Sequence, residues 1–165
     1  IEVEAVRPRP GVLVLSYAVS GRMGGLALPA PAAPARAEEL WRHTCFEAFV
    51  AAPSGAGYYE FNFAPSTAWA AYAFSGYRAG KANVGDLAAP AIEVATGPSS
   101  FTLRATLELS ALSGLIPGGP WRVGLSAVIE ESLGRISYWA LAHPPGRADF
   151  HHACNFALSP AVAEG

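Results

Sequence analysis

The sequence has few charged side chains and almost no lysine. Charged residues make up 15% of the 165 residues, against about 25% in a typical soluble domain, and Lys81 is the single lysine. The formal net charge is -2, and the arginines are scattered along the chain. A nucleic-acid-binding protein needs clustered lysine and arginine. The composition therefore argues against nucleic acid as a partner.

Cysteine is also scarce, and no apolar run reaches the roughly 18 residues of a membrane span. Two cysteines, Cys45 and Cys154, are too few for a disulfide scaffold; two reduced thiols are the simpler interpretation, with one bridge left open. No basic-then-apolar signal peptide opens the chain. These absences predict no membrane partner and favour a cytoplasmic location, although a chain that begins at Ile1 leaves a cleaved signal open.

Apolar residues are abundant, at 52% of the chain, and in several segments they recur at every second position. This period is typical of strands with one buried face, and it predicts strands over 12–19, 101–108, 123–129 and 136–142. The side chains predicted to be buried are Leu13, Leu15, Tyr59, Phe61, Phe63, Phe101, Leu103, Leu107, Val123 and Leu125.

Turn residues separate these segments, at 29–35, 53–57, 97–100 and 117–120, and Gly, Pro and Ser there favour connections between strands. One short helix is predicted at Ser110–Ser113. No glycine-rich phosphate loop or βαβ rhythm is present. The sequence thus predicts an all-β fold, an antiparallel two-sheet β-sandwich of about ten strands, in a single domain spanning residues 1–165.

Two aromatic-rich segments, 40–50 and 58–72, place polar side chains between large apolar ones. Successive side chains of a strand point to opposite faces, so Glu60 and Asn62 share one face, and Phe61 and Phe63 share the other. In the first segment Glu47 lies on the polar face in the same way. One face therefore builds a core while the other presents a polar, aromatic-rimmed surface.

Such a surface suits a sugar, because a pyranose ring offers apolar C–H faces and a belt of hydroxyl groups. Glu47, Glu60, Asn62 and Arg78 are candidate rim partners, and the candidate aromatic platforms are Trp41, Trp69, Tyr72, Tyr138 and Trp139. Two alternatives stay open. The aromatic side chains belong to the core, or the carboxylates are structural partners of Arg42, Arg78 or backbone amides.

Zinc and catalysis are competing interpretations. His43 and Cys45, with the 151–154 segment HHAC, offer zinc-ligand chemistry, but their spacing matches no zinc-finger pattern, and no metal site is predicted. Glu47 and Glu60 are a carboxylate pair of the type that glycosidases use. Because no nucleophile elbow or catalytic triad spacing accompanies them, we predict no enzyme activity and no catalytic residue.

Three motifs resemble those of a known family: LWRHTCFEAFV (40–50), YYEFNFAPSTAWAAYAFSGYR (58–78) and ISYWALAHPPGRADFHH (136–152). They resemble a bacterial DOMON-like protein, of a group related to family 9 carbohydrate-binding modules. The resemblance runs from about residue 10 to residue 158. It implies a two-sheet β-sandwich of about ten strands with a ligand site on one sheet or at its edge.

The resemblance also implies residue roles. Trp41 and Glu47 are similar to a tryptophan and a sugar-contacting glutamate of the sugar-binding relatives, and Trp139 is similar to a second tryptophan that closes over the sugar ring. In the haem-binding relatives a Met and a His hold the iron. The only methionine here, Met23, lies in the glycine-rich GRMGG, so haem is disfavoured and no cofactor is predicted.

The function predicted from the sequence is a non-catalytic module that binds a small-molecule ligand, a carbohydrate or a sugar-like molecule. Trp41 and Trp139 would be its platforms, and its hydrogen-bonding partners would be Glu47, Glu60, Asn62 and His143. The alternatives are a haem-binding DOMON domain and a structural or protein-interaction module, in which the same polar face docks on another protein or forms a homodimer.

Overall fold

The chain folds into two antiparallel β-sheets, seen here in a computed structural model that describes residues 1–163. The strands are β1 (Glu2–Val6), β2 (Val12–Ser20), β3 (Cys45–Ala51), β4 (Tyr58–Phe63), β5 (Trp69–Phe74), β6 (Ala82–Asn83), β7 (Ala91–Thr96), β8 (Ser100–Glu108), β9 (Arg122–Glu130) and β10 (Ile136–Ala140). The predicted all-β, antiparallel two-sheet sandwich of about ten strands is confirmed.

The four-stranded sheet has the order β1-β2-β8-β7, and the six-stranded sheet has the order β10-β9-β3-β4-β5-β6. The strands predicted from period-two alternation lie in β2, β8, β9 and β10. β1 and β7 were not predicted from the sequence. Both are edge strands whose side chains are mostly exposed. Their polar–apolar alternation is short, because only Val3 and Ala5 of β1 and Ile92 and Val94 of β7 pack partly buried against the main core.

The main core lies between the two sheets. Of the side chains predicted to be buried, all are buried except Tyr59, which is half-buried. The rings of Phe46 and Phe101 stack across the two sheets with centroids 5.5 Å apart, and the Tyr17 ring packs on Phe46 at 5.1 Å. The buried Tyr17 hydroxyl donates to the carbonyl oxygen of Glu47 at 2.8 Å, which satisfies a polar group that would otherwise be costly to bury.

The predicted helix at Ser110–Ser113 is wrong. Leu112 N–H bonds to Leu109 O at 3.0 Å and Leu115 N–H to Leu112 O at 3.3 Å, so the segment forms two successive turns and no helix. Gly114, at φ +92, lies within the second of them. The helical elements of residues 1–163 are three 3-10 turns, Met23–Gly25, Leu40–Arg42 and Ala153–Asn155, and no helix there is long and apolar enough to cross a membrane.

The outer face of the six-stranded sheet is covered by the segment that follows β10. Phe150 and Phe156 of this segment pack in a second apolar cluster on that face, where the Phe156 ring lies 6.1 Å from Phe49. Gly124 permits the close approach, because an added Cβ would lie 2.9 Å from the Asn155 side-chain nitrogen and 3.0 Å from its carbonyl oxygen. The face predicted to present polar groups is therefore largely buried.

We expect Phe46→Ala to lower the free energy of unfolding by about 3–5 kcal/mol, the usual cost of truncating a buried phenylalanine. Phe46 is fully buried at the contact between the two sheets. Urea unfolding measures the loss. Leu133→Ala is the control, since Leu133 is 97% exposed and its truncation should change stability by no more than about 0.5 kcal/mol. Equal losses for the two variants would contradict this account of the core.

Candidate functional site

A cavity of about 990 Å³ lies on the outer face of the six-stranded sheet. Its floor is formed by side chains of four neighbouring strands: Glu47 of β3, Glu60 of β4, Phe74 of β5 and Val128 of β9. Alternation along the strands aims these side chains outward, away from the core between the sheets. The floor therefore joins two carboxyl groups to two apolar side chains.

Four further parts of the chain build the walls. Trp41 belongs to the 3-10 turn before β3, and Tyr138 comes from β10. The connection between β5 and β6 contributes Tyr77, Arg78 and Lys81, and the segment after β10 contributes Pro144, Pro145, Arg147, Ala148, Asp149, Phe150, His151 and His152. The cavity is thus enclosed by residues far apart in the sequence.

Glu47 is the most deeply placed ionisable group of the cavity. Its side chain is 3% exposed, and within residues 1–163 no hydrogen-bond donor reaches its carboxyl group. Burial, together with the nearby charge of Glu60, raises its pKa well above the ordinary value, against a smaller opposing effect of Arg78. A buried carboxyl group without a donor favours its neutral form or a ligand that supplies donors.

Glu60 lies on the same face but is held by a hydrogen bond. The Asn62 side-chain amide donates to one carboxylate oxygen at 2.7 Å, and the His151 Nε2 atom lies 3.6 Å from the other. Burial raises the pKa of Glu60, while the Asn62 bond and the charges of Lys81 and Arg78 oppose the rise. The two glutamates of the floor therefore differ: Glu60 is hydrogen-bonded, whereas Glu47 is open to the cavity.

His151 joins the floor to the wall as a neutral imidazole. The Tyr58 hydroxyl accepts the Arg78 N–H at 3.1 Å and lies 2.7 Å from His151 Nδ1. Nδ1 is the only acceptor for the phenol proton among the described residues, so Nδ1 accepts and Nε2 carries the ring proton toward Glu60. Burial, and then Arg78, lowers the pKa of His151 to about 4.

Asp149 fixes the rim of the cavity. It accepts hydrogen bonds from Arg78 at 2.6 Å, from the His151 backbone N–H at 3.0 Å and from the Tyr77 hydroxyl. Burial acts to raise the pKa of Asp149, but the bonds from Tyr77 and Arg78 lower it below the ordinary value. Arg78 has a left-handed backbone, at φ 51, and its bond to Asp149 ties the β5–β6 connection to the segment after β10.

Lys81 places a positive charge against an aromatic wall. Its ammonium nitrogen lies 4.3 Å from the centroid of the Trp41 ring and 3.7 Å from that of Tyr72. The two rings meet edge to face at 5.9 Å, and the Tyr72 hydroxyl donates to Glu38 at 2.8 Å. The wall at Trp41 therefore already holds a cation by cation–π interactions.

The structure brings three of the six candidate site residues into the cavity lining, namely Trp41, Glu47 and Glu60. Asn62 is fully buried and lies beneath the lining, where it orients Glu60. His143 is exposed and packs on Phe150 with ring centroids 6.0 Å apart. Neither His143 nor Trp139 is among the described residues that line the cavity.

Trp139 points to the opposite face of its strand. It pairs with Ala127, a residue of the main core, whereas Tyr138 pairs with Val128, a residue of the cavity floor. Directly paired residues share a face of the sheet. Tyr138 therefore faces the cavity, and Trp139, the next residue along β10, faces the other way. The Trp139 indole is 48% exposed and its N–H donates to Ser137 Oγ at 3.0 Å.

Most residues of the cavity wall were not predicted from the sequence. Tyr77, Lys81, Asp149 and His151 all lie outside the strands, in connections whose spatial path no periodicity reveals. The one available signal was the density of Tyr, Arg, Asp and His in two connections that flank aromatic strands. Loops that carry several such residues are frequent positions of binding groups.

The candidate zinc ligands lie apart. His43 Nδ1 is 2.7 Å from Glu130 Oε2, Cys45 is buried in the outer cluster, and His152 Nδ1 lies 3.0 Å from Cys154 Sγ. Both cysteines are free thiols. Within residues 1–163, no three His, Cys, Asp or Glu side chains converge as metal ligands would. The haem candidate Met23 is buried in the core between the sheets, away from the cavity.

Solved structures share this fold at low sequence identity. A candidate carbohydrate-binding protein from Bacteroides uniformis has a TM-score of 0.62 at 13% identity, over 94% of this chain and 84% of that one. A family 9 carbohydrate-binding module from Caldicellulosiruptor kristjanssonii in complex with glucose gives 0.52 at 13% identity, over 87% and 76%. The same kind of module in complex with cellotriose gives 0.50 at 12% identity, over 88% and 69%.

No family model matches the sequence, and a search of curated proteins also finds no match. The similarity to the solved structures therefore shows the fold, a sandwich of the family 9 carbohydrate-binding-module type.

We expect Glu47→Gln to become more stable than the wild type as the pH rises. The native protein holds a proton on Glu47 at pH values where the unfolded chain has lost it, so wild-type stability falls as pH rises from the ordinary glutamate pKa to the raised one. Glutamine carries no such proton. The two proteins should match at about pH 4 and diverge toward pH 8, by about 1.4 kcal/mol for each unit of raised pKa.

Urea unfolding at a series of pH values measures the difference. Glu93→Gln is the matched control, because Glu93 is exposed on the other sheet, and its stability difference from the wild type should not grow with pH. A Glu47→Gln difference that is flat between these pH values would show that Glu47 titrates as an ordinary surface carboxyl group.

Proposed function

We propose that the chain is a non-catalytic module that binds a carbohydrate in the cavity on the outer face of the six-stranded sheet. The observation that carries this proposal is the pair of buried carboxyl groups, Glu47 and Glu60, at the base of an aromatic-walled cavity. Sugar hydroxyl groups supply the hydrogen-bond donors that such a floor lacks, and the C–H faces of a sugar ring suit the aromatic walls.

The size of the cavity supports a ligand of one or a few sugar rings. Its volume of about 990 Å³ lies at the upper end of the range common for small-molecule sites, roughly 300–1,000 Å³. The cavity is concave and is complete within one chain. A protein-docking surface is usually flatter and buries on the order of 1,600 Å² in total.

The proposed contacts modify the set predicted from the sequence. Trp41 stays an aromatic platform, and Tyr138 replaces Trp139 as the platform contributed by β10. Glu47 and Glu60 accept hydrogen bonds from the ligand. Asn62 acts through Glu60 as a positioning residue, because it is fully buried and bonded to the Glu60 carboxylate.

The structural neighbours support a sugar as the ligand. Two of them are family 9 carbohydrate-binding modules in complex with glucose and with cellotriose. At 12% and 13% identity the likeness does not carry residue roles to this chain. The case for a sugar therefore rests on the cavity itself, and the neighbours indicate which sugars to test first.

The contacts of His151 support binding without catalysis. The two ring nitrogens of His151 face Tyr58 and Glu60, so among the described residues this histidine contacts no serine hydroxyl or cysteine thiol to activate. The haem alternative is disfavoured by the position of Met23, whose side chain is packed between the two sheets.

We expect titration calorimetry to detect binding of glucose or of a short glucan, and Trp41→Ala to weaken it. Loss of the Trp41 platform should cost about tenfold in affinity, or about 1.4 kcal/mol. Trp139→Ala is the matched control, since Trp139 is half-exposed but lies outside the lining, and its affinity should equal that of the wild type.

The competing interpretation is a surface that docks on a second copy. It predicts that no mono- or disaccharide binds at millimolar concentration, while Trp41→Ala and Glu47→Ala convert a dimer to a monomer in sedimentation analysis. That pair of results would overturn the carbohydrate proposal.

A further inference from the structure

We propose that the cavity selects a carbohydrate that bears a free amino group, an amino sugar, whose ammonium is bound at Glu47. This inference rests on the proposed function, since it names the class of sugar for the same cavity. Within residues 1–163, no hydrogen-bond donor of the protein reaches the Glu47 carboxyl group.

The deepest part of the floor holds polar groups without hydrogen-bond partners. The Glu47 carboxyl group opens onto the cavity although its residue is 3% exposed, and no donor of residues 1–163 reaches it. In the strand register Glu47 pairs with Asn62 on one side and with Ser126 on the other. The Asn62 Oδ1 atom and the Ser126 hydroxyl are both buried without partners among the described residues.

Glu60 does not supply the missing donors, because it is an acceptor itself. Its carboxylate takes the amide N–H of Asn62 and faces Nε2 of His151. Arg78 is the nearest guanidinium on the rim, but it is bonded to Asp149 at 2.6 Å. Arg78 thus commits its guanidinium to Asp149 and leaves Glu47 for the ligand.

An ammonium group fits this position better than a hydroxyl group. A hydroxyl group donates one hydrogen bond and brings two lone pairs that need donors of their own, whereas an ammonium group has three donors and no acceptor. In the free protein Glu47 holds a proton, because burial and the charge of Glu60 raise its pKa. When the ligand binds, that proton leaves to solvent and the ammonium charge stabilises the carboxylate, which is costly to bury alone. A hydrogen bond between charged partners is about twice as strong as a neutral one.

The wall beside the floor already accommodates such a cation. The Lys81 ammonium lies over the faces of Trp41 and Tyr72, at 4.3 and 3.7 Å from the ring centroids. It also acts on Glu60, where its charge opposes the effect of burial. The aromatic and carboxylate groups of this cavity thus stabilise the Lys81 ammonium in the free protein.

The test compares glucosamine, glucose and N-acetylglucosamine by titration calorimetry at pH 6, where a free amine is protonated. The three sugars differ in one substituent, and acetylation removes both the charge and two donors. We expect glucosamine to bind at least about tenfold more tightly than either of the others, the factor that one charge-assisted hydrogen bond supplies.

Glu47→Gln should bring the ratio of glucosamine to glucose affinity down to about one, while the control Glu93→Gln keeps the wild-type ratio. The ratio is used because the glutamine also alters contacts with a neutral sugar. Should Glu47→Gln fail to fold, the sugar series on the unaltered protein still decides the question.

The binding results distinguish failure of the amino-sugar inference from failure of the carbohydrate proposal on which it rests. If glucose and glucosamine bind equally well, the amino-sugar inference is overturned and the carbohydrate proposal stands. If ethanolamine binds as tightly as glucosamine and glucose does not bind, the ammonium site stands and the carbohydrate proposal is overturned. If none of the four compounds binds, both fail.

Discussion

The covering of the outer face of the six-stranded sheet by the segment after β10 is the constraint on which the site depends. Phe150 and Phe156 pack on that face, and Gly124 allows the chain to approach β9 without a side chain between them. An uncovered face would leave the floor carboxyl groups in water, with ordinary pKa values. The cover removes water from the floor and at the same time builds the wall of the cavity.

Burial under this cover makes two similar side chains different. Glu47 and Glu60 share one face of adjacent strands, but Glu60 is bonded by Asn62 and faces a neutral His151, whereas Glu47 has no donor within residues 1–163. The free energy that would otherwise be lost on burying Glu47 is recovered when a ligand donates to it. Preorganised, unsatisfied groups of this kind give binding its specificity.

The sequence predicted most of the long strands and the two carboxyl groups of the floor, because alternation along a strand is a local property that reading every second residue recovers. Glu47 and Glu60 were identified in this way. Trp41 lies in a 3-10 turn and was proposed for its aromatic ring and from the family resemblance. The sequence did not show which of two adjacent aromatic residues on β10, Tyr138 or Trp139, faces the cavity. That depends on how β10 pairs with β9. The wall residues Asp149 and His151 were not predicted, since the path of a connection is set by its tertiary contacts.

The central claim is that ligand binds on the outer face of the six-stranded sheet, and NMR of the indole N–H groups tests it most directly. The chain has four tryptophans, so a 15N-labelled sample gives four separate indole signals. The account predicts that added sugar shifts the signal of Trp41, while Trp69, Trp121 and Trp139 keep theirs. A saturating shift of Trp139 with an unchanged Trp41 would place the ligand on the other face of β10 and contradict the account.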